Sequence, residues 1–113
     1  MDGIQVYAVS EMQRSDLSHE LQGKDCGRPG VSLILVEAEP GRGPSLHTHE
    51  YAEVMVVLDG SATFPDGRTS REVGAGHVVV VPAGVPHGFT NTGGGPLRQI
   101  DIHVADDFAT QWL

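Results

Sequence analysis

Gly41-Arg42-Gly43-Pro44-Ser45-Leu46-His47-Thr48-His49-Glu50-Tyr51-Ala52-Glu53 runs straight into Val54-Met55-Val56-Val57-Leu58-Asp59-Gly60. The opening glycines and proline read as a turn, and Ser45 to Thr48 as a short extended piece. On an extended chain residues i and i+2 face the same side, so the His47 and His49 imidazoles point one way. Glu53 begins a strand and shares a face with Met55 and Val57, while Val54, Val56 and Leu58 are wholly aliphatic and face the other way. Asp59-Gly60 is a hairpin signal. Two imidazoles and a carboxylate within seven residues, all on extended chain, suit a metal ion. A satisfied strand histidine is the competing reading, and the residues alone leave both open.

The same punctuation extends in both directions. Val31 to Ala38, Ser61 to Phe64, Thr69 to Val73, His77 to Val81, His87 to Asn91 and Leu97 to Val104 read as strands. They are separated by turns at Pro65-Asp66-Gly67-Arg68, Gly74-Ala75-Gly76, Pro82-Ala83-Gly84 and Gly93-Gly94-Gly95-Pro96. Ile4 to Val9 alternates and is expected to be a first strand. Ser10 to Leu21 is polar, with Ser10 and Gln13 placed to cap one helical turn, and Gly23 to Gly30 is a loop. Phe108 to Leu113 is expected to pack as an apolar tail on the outside. Many short strands at regular spacing give an all-β sandwich or barrel, and 15 glycines with 7 prolines exclude a helical bundle.

Gly41, His47, His49, Glu53 and Gly60 spell G-x5-H-x-H-x3-E-x6-G, and Gly76, Pro82, Gly84, His87 and Asn91 spell G-x5-P-x-G-x2-H-x3-N. Together these resemble the two motifs of the cupin superfamily, in its small, single-domain, conserved-barrel form. Three residues separate His49 from Glu53 where many members have four. The resemblance implies one domain over residues 1–113, with motifs at 41–60 and 76–91. The implied fold is a double-stranded β-helix, or jelly-roll barrel. It also implies His47, His49, Glu53 and His87 as ligands of one divalent transition metal ion: Fe, Mn, Ni, Cu or Zn. Three imidazoles and one carboxylate leave two positions of an octahedron free for chemistry.

Around that centre, Met55, Val57 and Phe89 are expected as an apolar wall. Gln99, Asp101 and His103 share one face of the last strand, opposite Ile100, Ile102 and Val104. Either the polar row is exposed, or it lines the barrel and brings Asp101 and His103 to a substrate as acid and base. Tyr51 is placed at the rim, its hydroxyl a candidate proton donor. Asn91 is expected to stabilise a turn, and His77 and His19 to lie at the surface.

The formal charge of −8, from 15 acidic and 7 basic residues, disfavours nucleic acid and anionic membranes as partners. One cysteine, Cys26, permits no intrachain disulfide and suggests a reducing compartment. Met1-Asp2-Gly3 opens no secretory signal and no apolar run is long enough to span a bilayer, so a cytoplasmic location is expected. The functional expectation is a metal-dependent enzyme on a small organic molecule, of dioxygenase type. The alternatives are a non-redox isomerase, decarboxylase or polyketide cyclase, or a binding module without turnover. A homodimer packed sheet to sheet is expected, with the Ile4 to Val9 segment exchanged.

Overall fold

In the computed structural model residues 3–113 are described; Met1 and Asp2, which entered the reading of a leader, lie outside them. Among the described residues regular helix is confined to two 3-10 turns, Val9–Glu11 and Gly23–Asp25. No helix there is long and apolar enough to cross a membrane.

The larger sheet is built from β1 (Gln13–Arg14), β2 (Ser18–Leu21), β3 (Ser32–Ala38), β5 (Glu53–Asp59), β8 (His77–Val81) and β10 (Leu97–His103), in the order β1-β2-β3-β10-β5-β8. All its pairings are antiparallel. Opposite it lie two small ladders. β4 (His47–Thr48) pairs with β11 (Gln111–Trp112), and β6 (Ser61–Pro65) sits between β7 (Ser70–Gly74) and β9 (Thr90–Asn91). A bridge between His47 and His87 joins the ladders, each backbone N–H donating to the other's carbonyl at 2.8 and 2.9 Å. The result is an all-β double-stranded β-helix, closed over a core of alternating side chains.

That alternation is sharp. Along β5 the residues Glu53, Met55 and Val57 are buried, while Val54 and Val56 are half-buried on the outer face. Along β10 the buried set is Leu97, Gln99, Asp101 and His103. Met55, Val57 and Leu97 are fully buried, with Val36, Phe64 and Phe89 buried around them. Each such side chain contributes about 1.5–3 kcal/mol of transfer free energy. The centre of the fold is therefore apolar at one end and polar at the other. The hairpin after β5 turns at Gly60, whose φ is 83°. Asn91 ties the neighbouring connections together: its amide donates to the carbonyls of Ala38 and Gly95, and its carbonyl accepts from the Gly93 N–H, all at 2.9 Å.

Several expected elements differ. The segment from Ile4 to Val9 forms no strand: Ile4 and Val6 are 95% and 89% exposed, and the segment runs into the first 3-10 turn. An extended segment becomes a strand only by pairing, and the edge of β3 is taken by β2 and β1. Ser10 caps no helix: it lies inside the 3-10 turn, which has no side-chain cap. The polar Ser18–Leu21 stretch is instead a paired strand, held by β3 in spite of its low β-propensity. The expected strand from His87 to Asn91 is regular only at Thr90–Asn91. The tail lies at the surface as expected but as a paired strand: Gln111–Trp112, exposed, pairs with β4 beside the polar end of the barrel.

Candidate metal centre

The polar end is assembled from four places in the chain. His47 lies on β4 with His49 just after it, Glu53 opens β5, and the backbone bridge to His47 sets the position of His87. Their ligand atoms all lie within 4.8 Å of one another, and all four side chains are buried. One Glu53 oxygen, Oε1, stands 3.1 Å from His49 Nε2 and 3.0 Å from His87 Nε2.

The hydrogen bonds at the far side of each ring fix what these nitrogens do. His47 Nδ1 meets the Ser45 carbonyl at 2.6 Å, His49 Nδ1 the Ala109 carbonyl at 2.8 Å, and His87 Nδ1 the Val85 carbonyl at 2.9 Å. A carbonyl only accepts, so each Nδ1 carries the proton, and in a neutral ring Nε2 is left as a lone pair. The Nε2 lone pairs of His47 and His49 then point toward the Glu53 carboxylate, while His87 Nε2, 3.0 Å from Glu53 Oε1, donates a proton to it that a metal ion would displace. His49 Nε2 is buried without a hydrogen-bond partner. A cation resolves this arrangement, and the donor set of three imidazoles and one carboxylate fits a first-row divalent metal.

For two of the three imidazoles the electrostatics favour the neutral form that a metal needs. Burial, together with the charge of neighbouring histidines, lowers the pKa of His47 and His49 and favours their neutral form. Burial also pulls on His87, but its hydrogen bond to Glu53 outweighs this and leaves its pKa raised. Burial would raise Glu53; hydrogen bonds from His103 and His87 prevail and hold it at about 2.

His103 is the fourth imidazole near Glu53, and it has the opposite tautomer. The Ala109 N–H donates to the Tyr51 hydroxyl at 3.2 Å, and that hydroxyl lies 2.8 Å from His103 Nδ1. The phenol donates, Nδ1 accepts, and Nε2 carries the proton toward Glu53 Oε2 at 3.3 Å. His103 therefore serves Glu53 as a donor and offers no lone pair to the centre. Tyr51 also stacks on His49, with ring centroids 4.9 Å apart. Of the two alternatives for the last strand, the polar row lines the barrel: Asp101 and Gln99 are buried, and Gln99 Nε2 donates to Asp101 Oδ1 at 2.7 Å. Burial first, and the field of Glu53 second, raise the Asp101 pKa well above the usual carboxylate value.

The centre opens into a cavity of about 680 Å³, lined in part by Met55, Phe89, Asp101 and His103; Val57 lies deeper in the core and does not line it. The cavity also has walls that the sequence did not reveal. Leu17, Ile34 and Val36 form one side, and the C-terminal segment supplies Phe108, Thr110 and Trp112. Phe108 meets His103 edge-on at 4.9 Å and Trp112 lies 4.9 Å from the His47 ring. The apolar character of that tail was the available signal, but nothing in it tells which surface it covers.

A family model described as a cupin domain matches residues 34–103. The chain belongs to the cupin family. No curated protein matches it. Among solved structures, this cupin is similar to an uncharacterized conserved protein with a double-stranded β-helix domain from Klebsiella pneumoniae, at 18% identity and TM-score 0.75, covering 96% of each chain. It is also similar to Bacillus subtilis oxalate decarboxylase, studied for its Mn(II) centres, at 24% identity and TM-score 0.79, over 95% of this chain and 31% of that one. An oxalate oxidase matches at 20% identity and TM-score 0.78, over 96% of this chain and 63% of the other. The cupin thus spans about a third of the decarboxylase's length. These likenesses establish the fold.

Proposed function

We propose that this cupin is a metal-dependent enzyme that acts on a small organic molecule as a dioxygenase. One divalent ion per chain would be held by His47, His49, Glu53 and His87. The observation that carries the reading is the convergence of three imidazole nitrogens and one carboxylate within 4.8 Å of one another at the floor of an open cavity. When bound, the ion would supply a redox-active or Lewis-acidic centre for a small organic molecule. The protein's own residues do the rest. The three backbone carbonyls hold the imidazoles in one tautomer, and the apolar walls exclude water from the reacting molecule.

A second reading has its own support. Tyr51 is hydrogen-bonded to His103, whose Nε2 stands 3.3 Å from Glu53 Oε2, a row beside the cavity suited to moving a proton to or from a substrate. That row favours Lewis-acid chemistry, such as isomerisation, decarboxylation or cyclisation, with Tyr51 and His103 as proton carriers. We also place the chain in a homodimer, for reasons of packing discussed below.

The test is reconstitution of the metal-free protein with Fe(II), Mn(II), Ni(II), Cu(II) and Zn(II), followed by O₂ uptake and product analysis on enediols, diketones and catechols. O₂ consumption with one metal supports the dioxygenase, and turnover without O₂ supports the proton-transfer reading. Ligand binding with no turnover for any metal would leave a binding module. In parallel, His47→Ala and His87→Ala should each abolish retention of one equivalent of metal by elemental analysis. Full retention in both variants would overturn the ligand assignment.

A further inference from the structure

Solved structures similar to this chain include proteins named for oxalate, a small dianion, yet the cavity here has the wrong chemistry for one. Among the described residues that line it there is no lysine or arginine. Its ionisable groups besides the histidines are acids: Glu53 at the floor, Asp101 in the wall, and Asp16 and Glu20 toward the entrance. Among the described residues, the cation paired with an acid of that lining is Arg42, 3.8 Å from Asp16, and both side chains are highly exposed at 54% and 92%. An exposed pair of this kind is screened by water and holds no charge in place.

The walls point the same way. Leu17, Ile34, Val36 and Met55 line the cavity, and Phe108 and Trp112 bring aromatic surface to its mouth. At about 680 Å³ the cavity lies within the range of sites for drug-sized ligands, far more than a six-atom dianion fills.

Charge decides between ligand classes. A divalent ion held by three neutral imidazoles and the Glu53 carboxylate leaves a centre of net charge +1. A ligand that gives up one proton and binds as a monoanion brings it to zero. A dianion leaves −1 in a desolvated cavity with no cation among the described lining residues to answer it.

We propose that the site selects an uncharged, largely apolar molecule bearing two neighbouring oxygen atoms, one of which ionises on binding, and that Phe108 and Trp112 grip its apolar body. This rests on the metal-centre reading above. On binding, the hydroxyl O–H bond of the ligand (in a 1,3-diketone, that of its enol) breaks, its electron pair stays on oxygen, and the proton leaves to solvent. The specificity therefore lies in the walls and the missing cation rather than in the ligand set.

The test uses the whole chain loaded with Mn(II), and measures binding by calorimetry and by thermal shift with two probes, 1-phenylbutane-1,3-dione and oxalate. The diketone is expected to bind roughly tenfold more tightly, or better. Phe108→Ala and Trp112→Ala should each weaken it severalfold while leaving oxalate unchanged. Ile34→Arg, which puts a cation into the wall, should narrow the preference or reverse it; retention of metal and of the melting transition shows that each variant is folded. Oxalate binding as tightly as the diketone in the unaltered protein would overturn the proposal, as would aromatic variants that weaken both probes equally. The metal reading fails separately: if the metal-free chain binds the diketone just as well, the apolar walls stand and the metal centre does not.

Discussion

Asp101 shows how a single buried group records the character of the site. Its carboxyl is sealed in the barrel beside Gln99, and burial with the field of Glu53 raises its pKa well above 3.8. The folded chain thus keeps a proton that the unfolded chain releases. Stability from this group is fully present below the unfolded pKa and is lost as pH rises through the folded one. Asn is a neutral isostere that cannot lose that proton. Relative to the unaltered protein, Asp101→Asn should melt at nearly the same temperature near pH 4 and at a higher one near pH 8. A melting difference that stays constant over this range would show that Asp101 is ionised in the folded state. His103 teaches the complementary lesson. Its position on the inner face was one of two alternatives in the sequence. Its tautomer was not legible at all, because that depends on Tyr51 and Ala109, which lie 52 and 6 residues away in the chain.

At the level of elements, the turn glycines carry much of the information. Gly60 has φ 83°, and a Cβ built there would stand 2.6 Å from the Pro96 carbonyl oxygen. Both effects act against any side chain: positive φ is costly for an L-residue, and the adjoining backbone cannot give way cheaply. Gly60→Ala should cost about 1–3 kcal/mol. That is a drop of several degrees in melting temperature for a domain of this size. An unchanged melting temperature would mean that the β5–β6 turn relaxes freely. The two motifs made such turns readable because Gly and Pro act locally. Elements decided by distant pairing were not readable. Ile4 to Val9 alternates like a strand but finds no open edge, whereas Ser18–Leu21 looks polar and is captured by β3. The strand in the tail is unreadable for the same reason, since its pairing with β4 joins residues more than sixty apart.

For the whole molecule, the outer face of the larger sheet is the feature that the fold leaves unanswered. Two aliphatic rows cross four neighbouring strands in register. One is Leu35, Ile100, Val56 and Val78; the other is Leu33, Ile102, Val54 and Val80. Val78 and Val80 are 60% and 64% exposed at the edge, and the extended Ile4 to Val6 segment carries further exposed apolar surface. Contiguous apolar rows of this kind are rare on a free surface and usual at an interface between subunits. A face-to-face pairing of two copies about a twofold axis would cover both rows and let each N-terminal segment cross to its partner, removing about 800 Å² per subunit from water. The unaltered protein is therefore expected to sediment as a dimer at micromolar concentration. Val78→Lys combined with Val80→Lys should shift it to monomer while leaving metal content intact, since both residues point away from the polar end of the barrel. A monomer in the unaltered chain would refute the pairing, and a dimer that survives both lysines would move the interface to another surface.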